Sequence, residues 1–432
     1  MDVPLVDRPD TAPLFLRPGQ AVRSRALLAD AHALAATMPP GGHLIDLCRD
    51  RYRFVVAFLA AQIAGRVCLL PPDPSPAALS TLVATYPDCI AVANEALAAP
   101  CPLVRVSVGH DGPAENLALP ADRLAAIVFT SGSTGAPVAH YKPWGALVER
   151  SRAAGERFGF DEAAPASILG TVPPHHMYGF ETTALLPLHA PCASWCGPAF
   201  FPADIEAALA EIPGPRILVT TPLQLRALAA IDPPDLAAII SATAPLDPAL
   251  ATDIEARWRT QVLEIFGATE CGSIASRRTT QEASWRPYPG IALQQDDQQT
   301  VATGPSMPPI PLADEIELDA HGHFRLLGRR ADMVKLGGRR ASLAGLNRIL
   351  TAIEGVIDGA FVVPDDIDQR STARLLVLVV APGRTAPDIL ADLRARIDPV
   401  FLPRRVIHVA ELPRNDLGKL PRQAVLDLLA RS

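Results

Sequence analysis

Cysteine is scarce in this chain. Its seven residues, Cys48, Cys68, Cys89, Cys101, Cys192, Cys196 and Cys271, are odd in number and scattered. Only Cys192 and Cys196 lie close together, and no second Cys or His pair completes a zinc-site spacing. Reduced, buried thiols in a cytoplasmic protein are therefore expected. There is no long Lys/Arg run, and 46 acidic side chains outnumber 39 basic ones. That balance argues against a nucleic-acid partner. The most apolar stretch, Phe54 to Leu70, is broken by Gln62 and Arg66. A membrane span requires ~18 or more apolar residues in succession. A buried helix running into a strand is expected there, with no membrane insertion. The first residues lack the basic start and apolar core of a signal peptide. Internal repeats are lacking too.

What is present suits a globular protein. Apolar residues make up 49% of 432 residues, ample for sizeable cores. At roughly 100–200 residues per domain, this length implies two or three domains. Proline is abundant at 44 residues, and with the 28 glycines it punctuates loops. Charge is unevenly spread. From Arg329 to Ser432 there are 17 basic and 12 acidic residues, against 22 and 34 in the rest. Such asymmetry points to two domains with different partners.

Short β-rich runs alternate with helical patterns. Strands are expected at His43–Cys48, Val67–Leu70, Asp88–Val92, Leu103–Val108, Ala125–Thr130, Ile168–Val172, Arg216–Thr220, Ala237–Ser241 and Val262–Phe266. Helices are expected at Asp50–Ala64, Pro222–Ala230 and Asp247–Arg259. This alternation predicts an α/β fold: a large N-terminal domain of mainly parallel sheets flanked by helices. Ligands in such folds sit beyond the carboxyl ends of the strands, where this chain places its Ser/Thr/Gly, His and Glu clusters. From about Asp314 the pattern changes. A hairpin turns at Asp319-Ala320-His321-Gly322, and Gly328-Arg329-Arg330-Ala331 reads as a linker. A small mobile α+β C-terminal domain follows. The expected boundaries are 1–328 and 329–432.

Three constellations carry chemistry. Phe129-Thr130-Ser131-Gly132-Ser133-Thr134-Gly135-Ala136-Pro137 follows a strand, and its glycines free backbone N–H groups to face an anion. It suits a polyphosphate, yet no Gly-Lys-Ser/Thr follows, which excludes the phosphate loop of kinases and ATPases. In Phe266-Gly267-Ala268-Thr269-Glu270, a strand-end carboxylate could bind Mg²⁺ while Thr269 donates to a phosphate; a solvated loop glutamate is the alternative. Near the C-terminus, Leu412–Arg422 carries Lys419 on a Gly/Pro/Asn-rich loop, from which it could reach a reacting carboxylate and α-phosphate.

In this order and spacing the pieces resemble the adenylate-forming ANL superfamily of acyl- and aryl-CoA synthetases, luciferases and peptide-synthetase adenylation domains. His176-Met177-Tyr178-Gly179 matches its histidine loop, and Ser241-Ala242-Thr243-Ala244-Pro245-Leu246 its adenine segment. Asp314 with Gly328-Arg329, Asp332–Lys335 and Gly338-Arg339 match the ribose and post-hinge segments. The resemblance covers roughly Ala125 to the end. It implies ATP and Mg²⁺ as cofactors, and formation of an acyl-adenylate with pyrophosphate release, then displacement of AMP by a thiol. It further implies that Thr130, Ser131, Gly132, Ser133, Thr134 and Gly135 cradle phosphates and that Glu270 holds Mg²⁺. Thr269 would contact the α-phosphate, Ser241, Ala242, Thr243, Phe266 and Gly267 would frame the nucleotide, and Asp314 and Arg329 would hold ribose. Lys419 would stabilise the first transition state. Rotation about Arg330/Ala331 would then replace it with Lys335–Arg340.

Departures from the pattern sit beside these matches. Val138 replaces the lysine that usually ends the phosphate loop. Lys142 either takes over the phosphate contact or lies on the surface. Ala331 stands at the hinge, and Gly345-Leu346-Asn347 replaces an acidic Glu-x-Glu. These raise a non-catalytic nucleotide-binding protein as one alternative.

The acid pocket is expected to include His176, Tyr178, Phe180, Thr243, Ile265 and Gly272. No carboxylate near Tyr178 is well placed for a substrate ammonium, Glu181 being a poor substitute, so amino acids are excluded. Ile265, where relatives carry Gly, should shorten the pocket and favour a flat aryl acid such as a hydroxybenzoate or cinnamate. His43–Phe54, Gly65–Pro72 and Lys142–Val148 resemble short ligases of aryl-polyene and xanthomonadin pigment pathways, which load 4-hydroxybenzoate onto an acyl carrier protein. The acceptor would be the phosphopantetheine thiol of such a carrier, docking on Arg339, Arg340, Arg404 and Arg405, or coenzyme A.

Overall fold

The computed structural model describes residues 1–71, 74–131, 137–295, 299–329, 333–336, 339–363, 375–414, 420 and 422–431. The Gly132–Gly135 part of the phosphate loop, the hinge residues Arg330 and Ala331, and Lys419 fall outside them. Contacts divide the chain into two compact units. One comprises Met1–Gln294, Val301–Ile310 and Asp319–His323; the other comprises Gln295–Thr300, Pro311–Leu318 and Phe324–Ser432.

The first unit is an α/β body built on two large sheets, with a two-stranded ladder of Asp2–Pro4 and Ala118–Pro120 beside them. In the six-stranded sheet, His43–Asp46 pairs in parallel with Val67–Leu70 and Cys89–Ala93, and Val67–Leu70 in parallel with Leu124–Ser131. The outer strand Pro137–Pro143 then turns back antiparallel on Leu124–Ser131. The nine-stranded sheet has a parallel centre running Cys192–Trp195, Ala166–Gly170, Arg216–Thr220, Ala238–Ser241, Val262–Ala268. Gly272–Arg277 joins it antiparallel.

The Phe54–Leu70 stretch forms a buried helix, Arg51–Ile63, and the strand Val67–Leu70. Asp50 caps that helix by accepting from the Arg53 N–H at 2.8 Å. Such a cap contributes about 1 kcal/mol. Among the described residues no helix is long and apolar enough to cross a membrane. The seven cysteines are free thiols, and five of them are buried.

Arg51 ties the two sheets together. Its guanidinium donates to the carbonyls of Trp195 at 2.8 Å and of Gly170 and Val172 at 3.0 Å, and to the Thr183 hydroxyl at 2.9 Å. It starts the helix that follows the His43–Asp46 strand, while its carbonyl partners lie at strand ends of the other sheet. Burial lowers its pKa; the fork of donors keeps all of these acceptors satisfied.

In the second unit, Asp314–Leu318 pairs antiparallel with Phe324–Arg329. Gly328 and Arg329, expected as linker, continue this strand: the ladder supplies backbone partners that a free linker would lack. Met333–Leu336 pairs with Arg339–Ser342, and Ser342 caps the helix Leu343–Thr351. Asp358–Val362, Leu376–Val380 and Arg405–His408 form a three-stranded sheet. Helix Ala386–Arg394 starts from a Thr385/Asp388 capping box. Leu350, Val377, Val379, Ile389 and Leu393 build the core of this unit.

Candidate active site

The strand Leu124–Ser131 ends at the phosphate-loop sequence, and Pro137–Pro143 returns beside it with Val138 opposite Thr130. The Thr130 hydroxyl lies 3.1 Å from Nε2 of His140. His140 and Lys142 are two residues apart on one strand and so share a face. Val138, two residues earlier on that face, is exposed.

Lys142 does not lie on the surface, one of its two sequence expectations. It is buried, and its ammonium donates to the backbone carbonyls of Thr269, at 2.5 Å, and Glu270, at 2.8 Å. Burial pulls its pKa down, and the nearby Glu181, Cys271 and Glu270 oppose that shift. Burial likewise lowers the pKa of His140, with Glu270 acting against it. Thr130, His140, Lys142, Thr269 and Glu270 thus form one neighbourhood.

Thr269 and Glu270 follow directly on the strand Val262–Ala268 and are half-buried. Phe266 packs its ring 5.6 Å from Trp285. Gly267 has no room for a side chain: a Cβ there would stand 2.3 Å from the Gly272 carbonyl oxygen. Gly272 has φ +72°, and a Cβ on it would meet the Glu181 carboxylate at 2.3 Å. That carboxylate accepts from the Ser273 N–H at 2.9 Å and its hydroxyl at 2.5 Å.

Ser241 ends the strand Ala238–Ser241 and is buried, its hydroxyl without a partner among the described residues. Ala242 is buried and Thr243 exposed. Thr243 holds φ at +79°. A β-branched residue is strained in the left-handed region, and such strain clusters at ligand sites.

The histidine segment is helical rather than a loop. His176 precedes the turn Met177–Gly179, which runs on into a π-helix, Phe180–Leu185. His175 and His176 stack with ring centroids 4.6 Å apart. Burial lowers both, His175 to about 4, so they are neutral imidazoles at pH 7. The Tyr178 hydroxyl reaches the carbonyl oxygens of Ile240 at 2.9 Å and Thr220 at 3.1 Å. Tyr178, Ala242, Ile265 and Tyr288 share one buried cluster. Phe180 corrects the sequence reading. It is fully buried in another cluster, edge-on to Phe58 at 5.1 Å and to Phe54 at 5.9 Å, so it supports the body and does not face an acid.

In the second unit, Asp314 stands opposite Arg329 in the antiparallel ladder, and Lys335 opposite Arg340. Arg339 pairs with Asp398 at 3.0 Å. Arg404 and Arg405 are exposed, with side chains that make no hydrogen bond or ion pair among the described residues. His140, Arg51, Ser273 and Tyr288 have no expected role from sequence. Of these only His140 carried a signal, its two-residue spacing from Lys142.

Residues 31–311 match the profile of the AMP-binding enzyme family. A 4-coumarate–CoA ligase of Rhodobacter capsulatus is 31% identical over 284 residues, 65% of this chain and 70% of that one. An indoleacetate–CoA ligase of Aromatoleum aromaticum is 26% identical, covering 71% of this chain and 67% of that protein. The fold is that of ATP-bound MatB from Rhodopseudomonas palustris, with a TM-score of 0.82 at 19% identity, over 98% of this chain and 97% of that one. The chain belongs to the AMP-binding enzyme family. It is an adenylate-forming acid–thiol ligase that uses ATP with Mg²⁺.

Among the described residues no three His, Cys, Asp or Glu side chains converge to cage a metal. Mg²⁺ needs no such cage, being held through one or two carboxylates with phosphate oxygens and water. The Glu270 carboxylate fits that pattern, since it makes no hydrogen bond or ion pair among the described residues.

Proposed function

We propose that this enzyme activates an aryl carboxylic acid of the 4-hydroxybenzoate type as its adenylate and passes the acyl group to a phosphopantetheine thiol. The observation that carries the acid class is the buried cluster that Tyr178, Ala242, Ile265 and Tyr288 share, with Ala242 just beyond the strand Ala238–Ser241 and Ile265 within its parallel neighbour Val262–Ala268. A branched side chain there leaves room for a short, flat acid and little for a long chain. The relatives named for coumarate and indoleacetate support the same class.

In this reading the acid carboxylate attacks the α-phosphorus of ATP and pyrophosphate leaves. Thr130 and the loop after it receive the phosphates, Glu270 holds Mg²⁺, and Asp314 with Arg329 binds ribose. The C-terminal segment 329–432 delivers Lys419 to the developing negative charge and then turns about Arg330/Ala331. The thiol attacks the acyl carbon in the second step, and AMP leaves.

The preferred acceptor is a holo acyl carrier protein. The excess of basic over acidic residues from Arg329 to Ser432, with Arg404 and Arg405 exposed and unpaired among the described residues, supports an acidic protein partner. Coenzyme A is the second reading, favoured by the relatives' names. Pyrophosphate release is to be measured over a panel of carboxylic acids, followed by thioester formation with holo carrier protein or coenzyme A. Release with hydroxybenzoates is expected. Turnover confined to long-chain fatty acids would refute the acid class, and acylation of coenzyme A far faster than of any carrier would refute the carrier.

A further inference from the structure

The connection between the strands Val262–Ala268 and Gly272–Arg277 is gripped on both limbs by buried charges of opposite sign. Lys142 holds the carbonyls of Thr269 and Glu270 on one limb. Glu181 holds the N–H and hydroxyl of Ser273 on the other. Both side chains are more than nine-tenths buried. Removing an ammonium from water is costly unless its donors are used and an opposite charge stands near. Here two of three N–H donors are spent on backbone, and Glu181 is the largest of the negative charges acting on Lys142. A lysine so committed is not free to take the place of the missing phosphate-loop lysine.

We propose that Lys142 is a positioning residue: by pinning the Thr269 and Glu270 carbonyls it fixes the direction in which the Glu270 carboxylate leaves the strand end, and with it the affinity for Mg²⁺ in the MgATP complex. Glu181 is its counter-charge and the anchor of the opposite limb. The proposal rests on the reading of Glu270 as the Mg²⁺ carboxylate. Backbone held this way keeps a carboxylate pre-aimed; without the pin, part of the binding free energy is spent on ordering the turn.

The test is the Mg²⁺ dependence of ATP binding to the whole protein, followed by titration calorimetry, together with thermal unfolding. Wild type is compared with Lys142→Met, Lys142→Gln, Glu181→Gln, the double variant Lys142→Met/Glu181→Gln, and Glu270→Gln. Lys142→Met is expected to raise the half-saturating Mg²⁺ concentration about tenfold and to lower the melting temperature. Lys142→Gln, which keeps a donor, is expected to do both less and serves if the methionine variant folds poorly. The double variant removes both charges, so its melting temperature is expected to recover while the Mg²⁺ requirement stays raised. If both recover together, Lys142 is merely structural and the proposal falls. If Glu270→Gln shifts the Mg²⁺ response and neither Lys142 variant does, the proposal falls alone. An unchanged response in Glu270→Gln overturns the reading of Glu270 and the proposal with it.

Discussion

The Glu181 carboxylate is bonded to both the N–H of Ser273, at 2.9 Å, and its hydroxyl, at 2.5 Å. A buried carboxylate committed in this way cannot turn to face a substrate ammonium without leaving Ser273 unsatisfied. Amino acids are therefore expected to give no pyrophosphate release above background. A release assay with benzoates and amino acids side by side checks this, and brisk turnover of any free amino acid would contradict it.

Ile265 shares its buried cluster with Tyr178 and Tyr288. Trimming it to Ala is expected to enlarge the space for the acid. The preference, expressed as kcat/KM, should move roughly tenfold towards a longer or bulkier aryl acid, as one or two methylenes in an apolar pocket are worth about 1–3 kcal/mol. Competition between benzoate and cinnamate derivatives measures it.

Arg51 satisfies three carbonyls and one hydroxyl. Arg51→Met leaves these acceptors buried and unpaired, at about 1–3 kcal/mol each. A loss of at least ~3 kcal/mol in denaturant unfolding is expected. Arg51→Lys is expected to recover little, since an ammonium cannot span the fork.

His189 is buried against Trp144, and burial lowers it to about 3, with the backbone of Leu5 and Leu185 among the weaker influences opposing that shift. The folded protein keeps this imidazole neutral, whereas an unfolded chain protonates it near pH 6.5. Its stability is therefore complete above pH 6.5 and is lost as pH falls from there towards 3, at about 1.4 kcal/mol per pH unit. His175 acts in the same direction, from 6.5 down to about 4. His189→Leu is expected to hold stability at pH 7 and to flatten the loss between pH 6 and 4. Unfolding curves across that range decide it.

Lys419→Ala is expected to abolish adenylation and to leave ATP binding largely intact, because a charge that acts on the transition state adds little to the ground state. Pyrophosphate release and equilibrium ATP binding separate the two effects.

The elements that were legible in the sequence are those whose pattern is local. Apolar runs such as Arg216–Thr220 and Ala238–Ser241 reveal themselves as strands without reference to anything else. Asp50 announces its helix, and Asp247 begins its own in the same way. Less legible was Pro137–Pro143. Its mix of Val, His, Tyr and Lys shows no clean alternation of apolar and polar residues, and pairing with Leu124–Ser131 makes it a strand and turns Lys142 inward. Phe180 failed for a related reason. A π-helical turn rotates it away from Tyr178 and into the packing around Phe54 and Phe58, and no sequence spacing encodes that rotation.

The order and identity of the polar loop residues, carried in the sequence alone, are what resemble the adenylate-forming ligases, and the family match over residues 31–311 bears that class out. Which of those residues are spoken for was decided by tertiary structure. Lys142 is bound to the carbonyls of residues 127 and 128 positions away, and Glu181 to Ser273, 92 positions away. Hydrogen bonds over such separations depend on how two sheets bring distant strands together. A buried charge takes the partner that packing supplies, and only the folded chain determines which one that is.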